Sequence, residues 1–400
     1  MINFRELSKK YQTPLYIYDF ENIKNNYMEL KDAFRARKSL ICYAVKANSN
    51  LSVLKLLADL EAGADCVSMG EVKRALQAGI PKYKIIFSGV GKRDDEIEAA
   101  ILRDILMINI ESEAEFDRVE LIAGKLSKTA RISIRVNPNI DAKTHPYIST
   151  GLNENKFGID IENAKKLYIK AKNSNYMEPI GIHFHIGSQL TNLKPIEDAS
   201  SIVASMMKQL KVLGIDIKFF DIGGGIGIKY NNEQTIKPYA YAQAILATLK
   251  GTDVTVVCEP GRYIVGESGY FLTTVLYEKD NNTKRFVIVD GGMNDLLRPS
   301  LYKAYHAIEA VEVKGKTSKC DVVGPVCESG DFFAKDIELP KLKHGDLLVI
   351  KSAGAYGFTM SSNYNSRGRA AEVAIEDNKD RLIRRREKFE DLIRLEKEYL

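Results

Sequence analysis

A lysine at the end of an apolar segment is the first candidate for chemistry. Residues 40–45 (LICYAV) predict a strand buried on both faces, and Lys46 follows at its C-terminal end. Burying an ammonium group is costly and lowers its pKa, which turns a lysine into a usable amine nucleophile. Lys46 can equally leave the sheet and extend its ammonium group into water. This segment alone supports both interpretations equally.

Two histidines form the second candidate. In GIHFHIG (residues 181–187), His183 and His185 alternate with apolar residues, so in a strand both would point into the interior. Such a pair could bind a metal ion, as in barrel hydrolases with an HxH motif, but that site needs further His and Asp ligands. A core histidine with satisfied hydrogen bonds is a reasonable alternative for His183 and a weaker one for His185. The remaining histidines are His145, His306 and His344.

The segments DIGGGIG (residues 221–227) and EPGR (residues 259–262) supply two further groups. Glycines let backbone N–H groups approach a phosphate closely, although a glycine run also makes a mobile turn and does not match the GxGxxG spacing. Glu259 could bind a cationic ring nitrogen or simply pair with Arg262, and the spacing does not decide between these. A lysine nucleophile, a flat histidine, a phosphate cradle and a buried carboxylate together describe a pyridoxal phosphate site.

Eight apolar segments separated by helices would position these residues. Strict alternation of strand and helix predicts an α/β protein with a parallel sheet. Eight such units predict a (β/α)8 TIM-like barrel, with an open doubly wound sheet as the alternative. The predicted strands are residues 40–45, 64–68, 84–89, 105–110, 130–137, 180–187, 217–222 and 253–258.

In such a barrel the C-terminal ends of the strands converge on one rim, which is where barrel enzymes place their chemistry. Polar residues interrupt the apolar segments at these ends, and a purely structural barrel has no need of them there. They are Lys46, Asp65, Ser68, Ser88, Asn109, Arg135, Asn137, His185, Asp221 and Glu259.

The pattern changes after Gly261, where short β-like runs are joined by Gly, Pro, Asn and Asp turns. Because 400 residues exceed what one hydrophobic core usually supports, we predict two domains. The first is a cofactor-binding barrel over residues 20–262. The second is a β-rich domain made of residues 1–19 and 263–400, which includes the N-terminal strand at residues 14–19.

Composition excludes several classes of partner. A net charge of +5 spread over the chain predicts neither nucleic acid nor membrane as a partner. The five cysteines form no CxxC pair, and no signal segment or membrane-spanning apolar run is evident, so we expect a cytoplasmic protein.

Five motifs in order carry a resemblance to a known family. AVKAN, HFHIGSQ, DIGGGIG, EPGR and GPVCESGD resemble the fold type III pyridoxal phosphate decarboxylases, whose barrel is similar to that of alanine racemases. The likeness spans nearly the whole chain. Glu259 favours a decarboxylase, since the racemases place an arginine in that role. Within the family, GPVCESGD is typical of the branch that acts on meso-2,6-diaminopimelate, whereas the ornithine branch carries aspartate after the cysteine.

The resemblance implies a role for each matching residue. Lys46 forms the Schiff base with pyridoxal 5'-phosphate, His185 stacks on its ring, Glu259 pairs with the ring nitrogen, and Cys327 protonates the carbanion. No metal is implied. The cofactor contacts implied are Lys46, Asp65, His185, Ser188, Gly223, Gly224, Gly225, Glu259, Gly261, Arg262 and Tyr356. The substrate contacts implied are Arg262, Arg298, Tyr302, Glu328 and Tyr356.

The implied activity is decarboxylation of meso-2,6-diaminopimelate to L-lysine and CO2, the last step of lysine biosynthesis. The implied alternative is a sister enzyme acting on carboxynorspermidine, ornithine or arginine. In the family Cys327 and Glu328 enter the site of the neighbouring subunit, so a homodimer is implied. A non-catalytic cofactor carrier is a further alternative, but it would not need a proton donor. The long segment 138–160 is a candidate for a loop that closes over the site.

Overall fold

The computed structural model describes residues 2–141 and 156–400. His145 and most of segment 138–160 lie outside the described residues, so the proposed role of that segment as a closing loop is not addressed. The chain divides into two compact units. The barrel unit comprises Lys24–Ile228 and Gln234–Ile264, and the β-rich unit comprises Met1–Ile23, Lys229–Glu233 and Val265–Leu400. No helix in the described ranges is both long enough and apolar enough to span a membrane.

The chain begins with α1 (Phe4–Tyr11), β1 (Leu15–Asp19) and α2 (Phe20–Ala33). The next strands are β2 (Ser39–Ala44), β3 (Gly63–Cys66), β4 (Ile85–Phe87), β5 (Met107–Ile110), β6 (Ala130–Asn137), β7 (Ile159–Asp160), β8 (Met177–His183), β9 (Phe219–Asp221) and β10 (Thr255–Cys258). Each of the strands β2 to β6 and β8 to β10 pairs in parallel with its neighbours, and the two-residue β7 pairs in parallel with the end of β6. β10 pairs with β2 and closes the ring. The predicted (β/α)8 barrel is confirmed, and the open doubly wound sheet is wrong.

Helices follow the barrel strands along the chain: α3 (Leu51–Asp59), α4 (Met69–Gln77), α5 (Asp94–Arg103), α6 (Glu113–Lys125), α7 (Ile161–Lys172), α8 (Leu193–Val212), α9 (Pro238–Thr248) and the short α10 (Arg262–Val265). Their starts are set by residues whose side chains accept a hydrogen bond from the first turn, such as Ser68, Ser112 and Asp160. Ser68, which the sequence analysis grouped with the polar residues of the rim, therefore caps helix α4.

Two strand ends differ from the prediction, and both differences affect the site. β2 ends at Ala44, so Lys46 lies in a single 3-10 turn, Val45–Ala47, and not on the strand. β8 ends at His183, so His185 lies in the loop that follows. This loop leaves the strand direction because its backbone turns toward the glycine run, where the Leu190 N–H donates to the Gly225 carbonyl at 2.7 Å.

The β-rich unit contains β11 (Gly269–Asp280), β12 (Arg285–Val289), β13 (Ile308–Ala310), β14 (Thr317–Val323), β15 (Phe332–Pro340), β16 (Leu347–Ile350), β17 (Ala371–Glu376) and β18 (Lys379–Arg384), with the short helices α11 (Arg298–Tyr302) and α12 (Phe389–Ile393). The main path of its sheet runs β15-β14-β12-β11-β1-β17-β18, and β16 pairs with both β11 and β13. β1 lies between β11 and β17, which confirms that the N-terminal strand belongs to the β-rich part of the fold. Sequence patterns did not find β15, β17 and β18, because charged residues interrupt their apolar periodicity, even in β17, which is mostly buried.

Two buried tyrosines on barrel helices provide a matched test of hydrogen bonding in the core. Tyr168 on α7 and Tyr241 on α9 are both fully buried. The Tyr168 hydroxyl donates to the Gly181 carbonyl at 2.7 Å, whereas the Tyr241 hydroxyl has no hydrogen-bond partner among the described residues. A buried polar group without a partner costs about 1–3 kcal/mol.

We therefore expect Tyr168→Phe to lower the free energy of unfolding by about 1 kcal/mol or more, since it leaves the Gly181 carbonyl unpaired. Tyr241→Phe should leave the stability unchanged or raise it. Urea denaturation followed by circular dichroism measures both variants against the native protein. Equal losses for the two variants would contradict this account of the two hydroxyls.

Candidate active site

The polar residues that the sequence placed on the rim are mostly buried at the C-terminal ends of the barrel strands. Asn109 on β5 donates from Nδ2 to the Ser88 hydroxyl at 3.0 Å. Arg135 on β6 donates from Nη1 to Glu111 Oε2 at 3.0 Å, and its guanidinium lies 4.8 Å from the centroid of the Phe157 ring. These pairs form part of the wall of the barrel mouth, where Asn109 Oδ1 and Glu111 Oε1 have no hydrogen-bond partner among the described residues.

Lys46 is held by an ion pair. Its Nζ lies 2.9 Å from Asp65 Oδ2 at the end of β3, with the Lys46 side chain 41% exposed and that of Asp65 only 1%. The sequence left a buried and a solvent-exposed amine equally open, and the structure has the exposed one, because the turn after β2 carries Lys46 to the open side of the rim. Burial raises the pKa of Asp65, the neighbouring Glu259 raises it further, and Lys46 opposes both. The amine is thus oriented by a carboxyl group that cannot move.

Glu259 follows β10 and is buried together with His183 and Asp221. His183 Nε2 lies 3.4 Å from Glu259 Oε2. Burial opposes ionisation of Glu259, but His183, Lys46 and Asp221 together outweigh it and lower the pKa of Glu259 to about 2. Burial and the adjacent Glu259 raise the pKa of Asp221 well above its usual range. Of the two neighbouring carboxyl groups, Glu259 is therefore the ionised one.

Ligand atoms of His183, Asp221 and Glu259 lie within 4.8 Å of one another, which is the spacing of a possible metal site. His185 is not part of this group, so within the described residues the two histidines of the HxH motif do not share a candidate metal cluster. Asp221 in this group already accepts a hydrogen bond from the Gly223 N–H. A cationic ring nitrogen needs only the ionised Glu259.

His185 presents a neutral imidazole. The Gly224 N–H donates to its Nδ1 at 3.3 Å, which fixes the ring against the glycine run. Burial lowers the pKa of His185 well below its usual range, and the charges of Arg135 and Lys46 add to this effect. A flat uncharged ring suits stacking on an aromatic cofactor, as the sequence predicted.

The glycine run is shaped by close backbone approaches. A Cβ at position 224 would lie 2.2 Å from the Glu259 carbonyl oxygen, and one at position 225 would lie 2.4 Å from that of Gly187. The Gly223 N–H donates to Asp221 Oδ1 at 2.9 Å, so Gly223 and Gly224 both use their N–H groups inside the chain. The Gly225 N–H donates to no described residue, and it is the member of the predicted phosphate cradle that remains able to bind an anion.

Two predicted residues meet beside this run. Arg262, at the start of α10, donates from Nη2 to the Ser188 hydroxyl at 3.1 Å. Gly261 packs against the turn that carries Lys46, since a Cβ there would lie 3.0 Å from that of Ala47. A hydroxyl, a guanidinium and a glycine N–H are groups that bind phosphate.

The remaining predicted residues lie in the β-rich unit. Arg298 is buried, its guanidinium lies 4.8 Å from the centroid of the Tyr230 ring, and its Nη1 lies 2.8 Å from His306 Nε2. His306 Nδ1 lies 2.8 Å from the Lys351 carbonyl oxygen, so it carries the proton and leaves Nε2 to accept from Arg298. Sequence reasoning missed His306. The pattern offers no signal for it, because it follows α11 outside any motif.

The GPVCESGD segment forms a turn that displays two predicted residues. Cys327 and Glu328 are exposed on it. Asp331 is buried beneath them and accepts hydrogen bonds from the Val326 and Met293 N–H groups, both at 2.6 Å. Tyr302 and Tyr356, also in this unit, are half-buried.

The barrel residues fit pyridoxal phosphate. Glu259 Oε1 is buried without a hydrogen-bond partner among the described residues, as expected for an oxygen that accepts from a protonated ring nitrogen. Lys46 supplies an oriented amine and His185 a neutral ring. Ser188, Gly225 and Arg262 supply donors for a phosphate.

Comparison with known proteins agrees with this fit. Residues 20–266 match the family model described as pyridoxal-dependent decarboxylase, pyridoxal binding domain. The chain is 60% identical to a diaminopimelate decarboxylase of Campylobacter jejuni over the full length of both chains. It is 48% identical to that of Aquifex aeolicus, over 98% of this chain and 93% of the relative.

Solved structures show the same likeness. The crystal structure of the Helicobacter pylori diaminopimelate decarboxylase complexed with L-lysine superposes with a TM-score of 0.97 at 59% identity, covering 100% of both chains. The enzyme of M. jannaschii, also in complex with L-lysine, gives a TM-score of 0.93 at 39% identity, covering 98% of this chain and 93% of the other. The chain therefore belongs to the pyridoxal-dependent decarboxylases and, within them, to the diaminopimelate decarboxylase family.

Proposed function

We propose that this enzyme removes one carboxyl group of meso-2,6-diaminopimelate to give L-lysine and CO2, the last step of lysine biosynthesis. Relatives at 60% identity carry that name, and two of the structural neighbours hold L-lysine, the expected product. The observation that carries the proposal is the ionised Glu259 with one unpartnered oxygen beside the Lys46–Asp65 pair.

Pyridoxal phosphate, when bound, supplies an electron sink for the charge that remains on carbon after CO2 leaves. With pyridoxal phosphate bound, Glu259 would accept a hydrogen bond at Oε1 from the protonated ring nitrogen, and this would preserve the full strength of that sink. His185 would offer the ring an uncharged imidazole. Lys46 would hold the cofactor through Nζ, and Asp65 would keep the ammonium group of Lys46 in place.

The β-rich unit supplies the groups that recognise the substrate. Arg298 is already stacked and hydrogen-bonded, so its guanidinium binds the distal carboxylate without losing much conformational freedom. Glu328 binds the distal ammonium group, and Arg262, Tyr302 and Tyr356 complete the contacts. A buried cation left unpaired is costly, so an amine without the second carboxylate is rejected. This argument disfavours carboxynorspermidine, ornithine and arginine as substrates.

A substrate assay tests this function. CO2 release should be at least about a hundredfold faster, as kcat/KM, with meso-2,6-diaminopimelate than with ornithine, arginine or carboxynorspermidine. Lys46→Ala should abolish the visible absorbance shift of the bound cofactor and lower kcat by several orders of magnitude. A Lys46→Ala enzyme with a normal spectrum and normal turnover, or a faster reaction with ornithine, would contradict the proposal.

We also propose that the enzyme is a homodimer in which Cys327 and Glu328 serve the neighbouring subunit's site. Both side chains are exposed on a turn that Asp331 holds rigid, which suits residues that reach out of their own unit. Cys327 returns a proton to the carbon that has lost CO2. The described structure has all five cysteines as free thiols, which supports a reducing compartment, and we propose the cytoplasm.

Mixing inactive subunits tests the shared site. Lys46→Ala and Cys327→Ala each damage both sites of their own dimer, but a mixed dimer keeps one intact site. After the two variants are mixed and allowed to exchange subunits, activity should return to about a quarter of the native value. As the control, two separate preparations of the same variant are mixed in the same way, and this mixture should remain inactive. No recovery despite demonstrated exchange would show that each subunit uses its own Cys327.

A further inference from the structure

We infer that His183 positions Glu259 and sets the direction of the carboxylate that receives the cofactor ring nitrogen. His183 is then a positioning residue, which acts through Glu259 and not on the substrate. The inference rests on the proposed use of pyridoxal phosphate. It goes beyond the matched motifs, in which His183 has no role.

The barrel brings the three groups together by register. His183 is the last residue of β8 and pairs with Asp221 on β9, and Asp221 pairs with Val257 on β10. Glu259 lies two residues beyond Val257. The three side chains therefore come from three adjacent strands, and their ligand atoms lie within 4.8 Å of one another in the buried interior.

The two carboxylate oxygens of Glu259 have different surroundings. Oε2 lies 3.4 Å from His183 Nε2, and Oε1 has no hydrogen-bond partner among the described residues. Neither ring nitrogen of His183 has a hydrogen-bond partner among the described residues, so Oε2 rests against His183 at ion-pair distance and not through a hydrogen bond. This buried contact limits rotation of the carboxylate and so sets the direction of Oε1. The Glu259 N–H also donates to the Gly223 carbonyl at 2.7 Å, so the backbone is held as well.

The ionisable groups around Glu259 are consistent with this role. Two buried carboxyl groups in contact do not both ionise unless a cation compensates them. The groups that titrate around Glu259 are Lys46, Asp65, Asp221, His183, and the thiols of Cys42 and Cys258. Of these only Lys46 and His183 lower the pKa of Glu259 by their charge, and Lys46 is committed to Asp65 and to the cofactor. His183 is the partner that remains with Glu259 throughout the reaction.

The test compares two cofactors in His183→Asn. Pyridoxal phosphate has a ring nitrogen that Glu259 can bind, and 1-deazapyridoxal phosphate has a C–H group in its place. We expect the dissociation constant of pyridoxal phosphate to rise about tenfold or more in the variant, the effect of one hydrogen bond to a charged group. The dissociation constant of the deaza analogue should stay the same or fall, since the variant no longer maintains an unpaired charge. KM for the substrate should change less than kcat.

Controls separate this role from packing. Ser133→Ala removes another buried polar group of the barrel and should change neither constant. A loss of equal size with both cofactors would show that His183 only supports the fold and would overturn the inference, as would no loss with either. His183→Gln keeps a donor at this position and should recover part of the affinity for pyridoxal phosphate.

A measurement on the native enzyme covers the case in which neither His183 variant folds. The infrared difference between native enzyme and Glu259→Gln at neutral pH should contain the band of an ionised carboxylate. A protonated acid there, or a stoichiometric divalent metal in the purified native enzyme, would overturn the inference. Failure of the proposed function itself would look different, because the native enzyme would then bind neither cofactor.

Discussion

The site depends on the cost of keeping a charged carboxylate inside a barrel that excludes water. Asp65, Asp221 and Glu259 lie close together at the ends of β3, β9 and β10, and none of them is exposed by more than a few per cent. Burial raises the pKa of the first two, whereas His183, Lys46 and Asp221 together lower the pKa of Glu259. Asp65 is paired with Lys46, so Glu259 is the acid whose charge is available to a ligand, and His183 lies against its carboxylate.

Rigidity around this charge comes from backbone packing more than from side chains. The glycine run touches the backbone of Glu259 on one side and the His185 loop on the other, at separations that no Cβ could occupy. Two of its N–H groups orient Asp221 and His185. Glycine is therefore required here because backbone segments of the same chain pack against the run. Of Gly223, Gly224 and Gly225, only the last has an N–H group that makes no hydrogen bond to a described residue and can bind an anion. A glycine run that binds phosphate and a glycine run that only allows close backbone packing have the same amino-acid composition, so the composition alone does not distinguish them.

The barrel could be predicted from sequence because its strands are apolar on both faces and alternate with helices, a pattern that has few folded solutions. The ends of the strands could not be predicted from sequence. The points at which Lys46 and His185 leave their strands depend on hydrogen bonds to distant segments, such as the bond that the Gly225 carbonyl accepts. Charged, half-exposed strands such as β18 could not be predicted for a related reason. Their strand conformation depends on pairing with a neighbour in the sheet and not on an apolar periodicity in the sequence. Within the site, residue types could be recognised by motif, but which acid carries the charge follows only from three-dimensional neighbours.

The position of β1 has a consequence for how the protein is made. Tyr16 pairs with Phe271 on one side and with Glu372 on the other, so an early segment is enclosed by two late ones. The barrel strands are all synthesised by Cys258, and that ring can close while the ribosome is still adding residues. The other sheet must wait for β17, which leaves one edge of β1 unpaired until that strand has been synthesised. A nascent chain that stalls between β10 and β17 would thus carry a closed barrel and an exposed strand edge near its N-terminus.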